Sequence, residues 1–157
     1  MKTPKTNAMR LLETMGIAYT CHTYSTADGA IDGPAVAAKT GRDPGTVFKT
    51  LATRGVGGGL CVFCLPVNQE LNLKKAAAAA GEKRVEMLAV AQITAATGYV
   101  RGGVSPLGMK KAWPTFLEES ALKQESILVS GGRIGLQIEL APADLLKAAN
   151  ATVFANE

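Results

Sequence analysis

The stretch from Thr46 to Val67 constrains the fold more than any other. It reads TVFKTLAT, then RGVGGG, then LCVFCLPV. The two outer runs are rich in β-branched and aromatic residues, and the glycines between them supply a tight turn. This is the pattern of an antiparallel hairpin, so the chain is built around a sheet.

The remaining segments alternate between helix and strand signals. Met9, Leu12 and Met15, flanked by Ala8 and Leu11, recur at helical spacing until Gly16, a residue suited to the positive φ that ends a helix. Ile17 to Tyr24 is short and rich in strand formers. Pro34-AVAAKTG predicts a short helix with proline in its first turn and Gly41 at its end. LNLKKAAAAAG predicts a helix closed by Gly81, and Ala89 to Thr97 another closed by Gly98. YVRGGVSPLG reads as a strand end entering a glycine-rich loop. TFLEES, SILVSGG and IGLQIEL read as strands, and Pro142 opens a last helix through Asn150 with Asp144 near its positive end. No strict βαβ rhythm runs through this order. The expected fold class is α+β: a single-domain, mixed, mainly antiparallel, barrel-like sheet flanked by helices.

At 157 residues the chain is expected to form one domain, residues 1–157. Apolar residues are 47% and charged residues 19%, which excludes disorder as the ground state. No 18-residue apolar run is present, so no membrane helix is expected. The N-terminal MKTPKTNAMRLLETMG lacks the apolar core of a signal peptide. Three cysteines make a poor disulfide framework, and a cytoplasmic location is expected.

Composition also limits the chemistry. His22 is the sole histidine, which excludes a histidine metal cluster and leaves lysine, carboxylates, hydroxyls, backbone donors or the substrate itself as reacting groups. Residues 1–75 hold nine basic and five acidic side chains, while the rest hold eight of each, so the net +4 sits in the first half. That excess suits transient contact with phosphate but not tight nucleic-acid binding.

Several motifs dissolve on inspection. Cys61-Val62-Phe63-Cys64 is a CxxC, but it lies in a strand rather than at a helix start, its ends face opposite sides of the sheet, and the only further ligands are the adjacent Cys21 and His22. RGVGGGL has leucine where a dinucleotide fingerprint needs its last glycine, and GRDPGTVFKT lacks P-loop spacing. The Lys74-Lys75 and Lys110-Lys111 pairs read as solvated surface. His22 reads as a hydrogen-bonded structural residue or a general base.

Two features keep chemical interest. Lys49 lies mid-strand with Val47 and Leu51 on its side of the pleat. Either its stem snorkels along an outer face or its ammonium points into a cavity and needs an anionic partner. Gly102-Gly103-Val104-Ser105-Pro106 is either a rigid turn or a loop whose N–H groups cradle an oxyanion. Ser130-Gly131-Gly132 is a second glycine pair at a strand end.

VFKTL, LNLKKAAAA, VEM at Val85 to Met87, TGYVRGGVSPLG and VSGGRIGLQIEL occur in this order. As a set spanning nearly the whole chain, they closely resemble the YbaK/EbsC proteins. These are the Cys-tRNA(Pro)/Cys-tRNA(Cys) deacylases of the prolyl-tRNA synthetase editing-domain superfamily. The resemblance implies trans-editing of mischarged tRNA, in which the thiol of the misattached cysteine attacks its own ester. It implies no cofactor and no metal, with the 3′ aminoacyl end of tRNA as substrate and prolyl-tRNA synthetase as partner. By matching positions, Lys49 corresponds to the family's site lysine, on a 3′-end phosphate or on the ester carbonyl, with Thr50 beside it. Gly102 heads the loop placed near the scissile carbonyl, with Gly103 and Pro106 in it. Tyr24 matches a tyrosine lining the site, and Ser130 a serine bonding the substrate amine or ribose. Two positions depart from the family. Asp32 stands where an aromatic residue is common, and Gln137 stands where many members carry an aspartate. They bear on how the substrate amine is held. Related readings are Ala-tRNA(Pro) deacylation by water and a non-catalytic module that binds synthetase or tRNA.

Overall fold

The computed structural model describes residues 4–157; residues 1–3 of the N-terminal stretch considered above for a signal segment lie outside it. Helix α1 spans Asn7–Thr14 and starts on a capping box, with the Thr6 hydroxyl accepting from the Met9 N–H at 3.2 Å. Strand β1 (Thr20–Thr23) follows, then α2 (Gly33–Thr40), capped by Asp32 and closed by Gly41 at φ 69°. The hairpin comprises β2 (Phe48–Gly55) and β3 (Leu60–Pro66), paired from Phe48↔Pro66 to Arg54↔Leu60. Next come α3 (Leu73–Ala80), β4 (Val85–Met87), α4 (Val90–Thr97), β5 (Thr115–Glu118), β6 (Ile127–Ser130), β7 (Leu136–Leu140), α5 (Pro142–Ala148) and β8 (Ala151–Phe154).

The α+β class is as expected, with one refinement in the sheet. The described strands form two sheets, β1-β7-β6 and β4-β2-β3-β5-β8, linked by an isolated parallel bridge between Val47 and Leu128. No closed barrel forms among them. The division is a matter of pairing: in the first sheet the central β7 runs antiparallel to both β1 and β6, whereas in the second β5 pairs in parallel with β3 and β8.

Three local expectations are corrected. Tyr99 and Val100 belong to no strand; Tyr99 is buried and donates its hydroxyl to the Leu107 carbonyl at 2.6 Å. The first strand is shorter than expected, only Thr20–Thr23. The last helix ends at Ala148, and Asn150, at φ 50°, turns the chain into β8. β8 is an edge strand secured by an aromatic cluster, in which the Phe154 ring meets Phe63 edge-on at 5.1 Å and Phe63 stacks on Phe116 at 5.0 Å.

Every residue of β3 is buried, which makes it the spine of the molecule. One face carries Cys61 and Phe63 into a cluster with Ala76, Ala77, Val85 and Phe154. The other carries Cys64 into the main core with Leu12, Phe48, Leu117, Ile127, Val129 and Ile138. The CxxC therefore spans the sheet, and burial pushes the Cys64 thiol up to about 12, out of reach as a thiolate at neutral pH. A third cluster of Tyr24, Val36, Ala37, Val47, Val67 and Leu128 lies where the two sheets meet, and four of its members form the apolar floor of the cleft described next.

Candidate active site

A cleft of about 800 Å³ opens where β2, the start of α2, β4, α4, the 101–104 loop and the ends of β6 and β7 converge. That size suits a nucleotide-scale ligand, and its walls are mainly apolar. Lys49, Thr50, Tyr24, Asp32, Gly102, Ser130 and Gln137 all line it. They come from segments up to about a hundred residues apart, brought together by the Val47–Leu128 bridge and the β6–β7 pairing, in which Ser130 faces Gln137.

Lys49 takes the inward of its two orientations. Val47 and Leu51, on its side of the pleat, line the cleft with it. Its ammonium donates to the backbone carbonyl of Gln69, in the loop between β3 and α3. Burial draws the Lys49 pKa below the ordinary lysine value, while the charge of Glu70 opposes the shift. An ammonium has three N–H donors, so a group held by one carbonyl still has two to offer. Beside it, the Thr50 hydroxyl lies 3.8 Å from Cys64 Sγ.

The glycine loop divides sharply. Gly102 is exposed at the cleft wall, at φ 87°, and a Cβ there would lie 3.3 Å from Ile31 Cδ1 and 3.4 Å from Ile134 Cγ1. Gly103 and Pro106, expected at the site, do not line the cleft. Gly103 is buried and its N–H is already spent on the Val100 carbonyl at 2.9 Å. An added Cβ on it would sit 2.9 Å from Arg133 Cα, so this glycine serves packing. Pro106 is buried in a turn in which the Ser105 hydroxyl accepts from the Leu107 N–H at 3.2 Å. The loop presents Gly102 and Val104 to the cleft and anchors its remainder beneath.

The polar side chains on the cleft walls differ in how they are occupied. Asp32 Oδ1 accepts from the Ala35 N–H at 2.8 Å, so this carboxylate caps α2. Ser130 Oγ accepts from the Gly132 N–H at 3.2 Å. Tyr24 and Gln137 are more than nine-tenths buried, yet the Tyr24 hydroxyl and Gln137 Oε1 have no hydrogen-bond partner among the described residues. Buried polar atoms without partners are costly in a folded chain. Two of them on one cleft mark where a ligand would complete the bonding.

Sequence reasoning missed Arg101, exposed at the cleft beside Gly102, and the apolar wall of Met87, Val90 and Ile93. Arg101 adjoins the glycine pair and was visible as a cation there. Gln69 could not have been found, because it acts through a backbone carbonyl. His22 does not line the cleft: it sits on β1 with Nε2 2.8 Å from Glu139 Oε1. Among the described residues, no three His, Cys, Asp or Glu side chains cluster as a metal site, and no helix is long and apolar enough to cross a membrane.

The family profile of the aminoacyl-tRNA editing domain matches residues 31–148. A curated Enterococcus faecalis protein, named "Putative Cys-tRNA(Pro)/Cys-tRNA(Cys) deacylase EbsC", is 46% identical over 146 residues, covering 93% of this chain and 89% of the relative. Among solved structures, one described as "a putative trans-editing enzyme for prolyl tRNA synthetase" superposes with a TM-score of 0.84 at 23% identity, covering 99% of this chain and all of that one. The hypothetical protein APE2540 superposes with a TM-score of 0.85 at 22% identity, covering 94% and 97%; at these identities the two structures speak for the fold. With the matched profile reaching from Ile31 in the cleft to the end of α5, and a relative at this identity along almost the whole length, the chain belongs to the aminoacyl-tRNA editing domain family.

Proposed function

We propose that this protein deacylates mischarged tRNA in trans, with Cys-tRNA(Pro) as preferred substrate. The observation that carries the reading is the convergence of the Lys49 ammonium, the Gly102 turn and the unpartnered Tyr24 and Gln137 atoms on one cleft. Tyr24, Ser130 and Gln137 hold the aminoacyl group. Lys49 uses its two remaining donors on a 3′-end phosphate or on the ester carbonyl oxygen, and the backbone at Gly102 lies close to the carbonyl. Arg101 extends the positive charge at the mouth toward the tRNA backbone.

Among the described residues the cleft has no protein nucleophile matched to a base, and the attacking atom in this reading belongs to the substrate. The cysteine thiol, once deprotonated, adds to its own ester carbonyl. A C–S bond forms, the C–O bond to the terminal ribose breaks, and the ribose oxygen leaves with a proton taken from solvent. The products are a thiolactone and free tRNA. Holding the thiol against the carbonyl supplies a large effective concentration. It also gives discrimination that pocket size cannot, since one methylene in an apolar pocket separates substrates by only about 1–3 kcal/mol. Prolyl-tRNA synthetase is the partner that confers tRNA selectivity, because a net charge of +4 supports weak tRNA binding and association raises local concentration.

The test is a deacylation panel over Cys-, Ala-, Ser- and Pro-tRNA(Pro) with product analysis. Rapid loss of cysteine with Ser-tRNA spared is the expected result. Equal release of cysteine and serine refutes the thiol route, preferential release of alanine assigns the Ala-tRNA reaction instead, and persistence of every ester shows a binding module. Identical tRNA selectivity with and without synthetase rejects the partnership.

A further inference from the structure

Asn156 lies two residues past the end of β8 and eight past the end of the matched family profile. It is 7% exposed. Both amide donors and the amide oxygen are bonded, and all three bonds go to one turn. Nδ2 donates to Gln69 Oε1 at 3.1 Å and to the Glu70 carbonyl at 2.9 Å, and Oδ1 accepts from the Asn72 N–H at 2.8 Å. Gln69 is held from a second side, by Nε2 donating to the buried carboxylate of Glu118 at 3.5 Å, and from a third by its N–H on the Pro66 carbonyl at 3.0 Å. The carbonyl of this same Gln69 accepts from the Lys49 ammonium.

We infer that Asn156 is a positioning residue for Lys49: by clamping the 69–72 turn it fixes the carbonyl that holds the ammonium in the cleft. A tail residue that only sealed the core would be apolar, since a buried amide is unfavourable unless each of its groups is bonded. Here every bond restrains the segment from which Lys49 is suspended. A flexible lysine stem has several rotamers, and the Gln69 carbonyl selects the one that leaves two donors toward the cleft. Displacement of that carbonyl by about 1 Å misaligns them, an error that costs roughly a hundredfold in rate in well-oriented sites. The inference rests on the role given to Lys49 above, but its structural half can be read without any activity.

The experiment uses full-length protein labelled with ¹⁵N-lysine, with the Lys49 Nζ resonance assigned by its loss in Lys49→Arg. In the native protein this resonance is expected to be protected from exchange. In Asn156→Ala it is expected to shift or vanish, with deacylation of Cys-tRNA(Pro) reduced roughly ten- to a hundredfold under conditions where the protein remains folded. In a Lys49→Ala background, Asn156→Ala is expected to change activity no further, because the two act as a unit. A folded Asn156→Ala variant with an unmoved Nζ resonance overturns the inference, even if its melting temperature falls, because that is the behaviour of a merely structural residue. Asn156→Asp keeps the acceptor for Asn72 and loses both donated bonds; it takes the same readouts if the alanine variant does not fold. Full activity of Lys49→Ala overturns the functional reading instead, and the Nζ resonance still decides whether Asn156 holds the lysine.

Discussion

The Lys49 ammonium hangs from the backbone carbonyl of Gln69, on the far side of a loop twenty residues further along the chain. That bond converts a flexible side chain into a fixed cation in a cleft whose floor is apolar. Lys49→Ala is expected to lower deacylation by about a hundredfold or more, the scale of losing one aimed donor, while circular dichroism stays native. Wild-type activity in that variant removes the lysine from the mechanism.

The same burial sets a pH dependence. The Lys49 pKa is lowered in the folded state, chiefly by desolvation, so its charge is lost at a lower pH than that of a free lysine, about 10.4. Activity that needs the ammonium should fall in alkaline solution before ordinary lysines titrate. Stability should move the other way. Between the folded and unfolded pKa values the unfolded chain binds more protons at this site, so its contribution to stability rises with pH across that window. Lys49→Met should flatten that part of a stability-versus-pH curve; a curve identical to wild type contradicts the assignment.

Tyr24 offers a cleaner separation of binding from folding. Its buried hydroxyl has no partner, so Tyr24→Phe should leave stability within about 0.5 kcal/mol of wild type or raise it. If the hydroxyl meets the substrate, the same change should reduce kcat/KM by up to about tenfold, the worth of one hydrogen bond. Chemical melts and kinetics on one preparation check both halves, and unaltered kinetics would take Tyr24 out of the substrate contacts.

Adjacent glycines should respond in opposite ways. Gly102→Ala places a Cβ at positive φ with only the flexible ends of Ile31 and Ile134 nearby. It should cost about 1–2 kcal/mol and act mainly on activity, by crowding the cleft. Gly103→Ala drives a Cβ to within 3.0 Å of the Arg133 and Ile134 backbone, which cannot move aside easily. That variant should lose more stability than Gly102→Ala. Thermal melting ranks them, and the reverse ranking refutes the division of the loop.

Away from the cleft, Glu139 ties β7 to its surroundings. Its carboxylate accepts from Ser126 Oγ at 2.5 Å and Arg42 at 2.6 Å, with His22 Nε2 at 2.8 Å. The Ser126 bond, followed by His22 and Arg42, holds its pKa below the ordinary glutamate value despite partial burial. Its stabilising contribution is therefore complete above about pH 4.3 and disappears as pH falls through the lower folded value. Glu139→Gln should destabilise the protein at neutral pH by about 1–2 kcal/mol and soften acid unfolding. Parallel acid titrations of the two proteins make the comparison, with superimposable curves counting against the network.

Local chemistry alone determined a good part of this molecule. The hairpin turn, the glycines at 41, 81 and 98 that close helices with positive φ, and the split faces of Cys61 and Cys64 follow from short-range rules that a linear pattern carries. The resemblance likewise pointed to Lys49, Gly102, Ser130 and Gln137. The tertiary structure alone decided that the strands divide into two sheets, that β8 exists as a parallel edge, that Lys49 faces inward, and that Gly103 and Pro106 are buried supports. The physical reason is the same in each case. These outcomes depend on partners far away in the chain, such as Asn156 and Gln69, 87 positions apart. Some also depend on backbone carbonyls and N–H groups, which are alike in nearly every residue and leave no mark in the order of side chains.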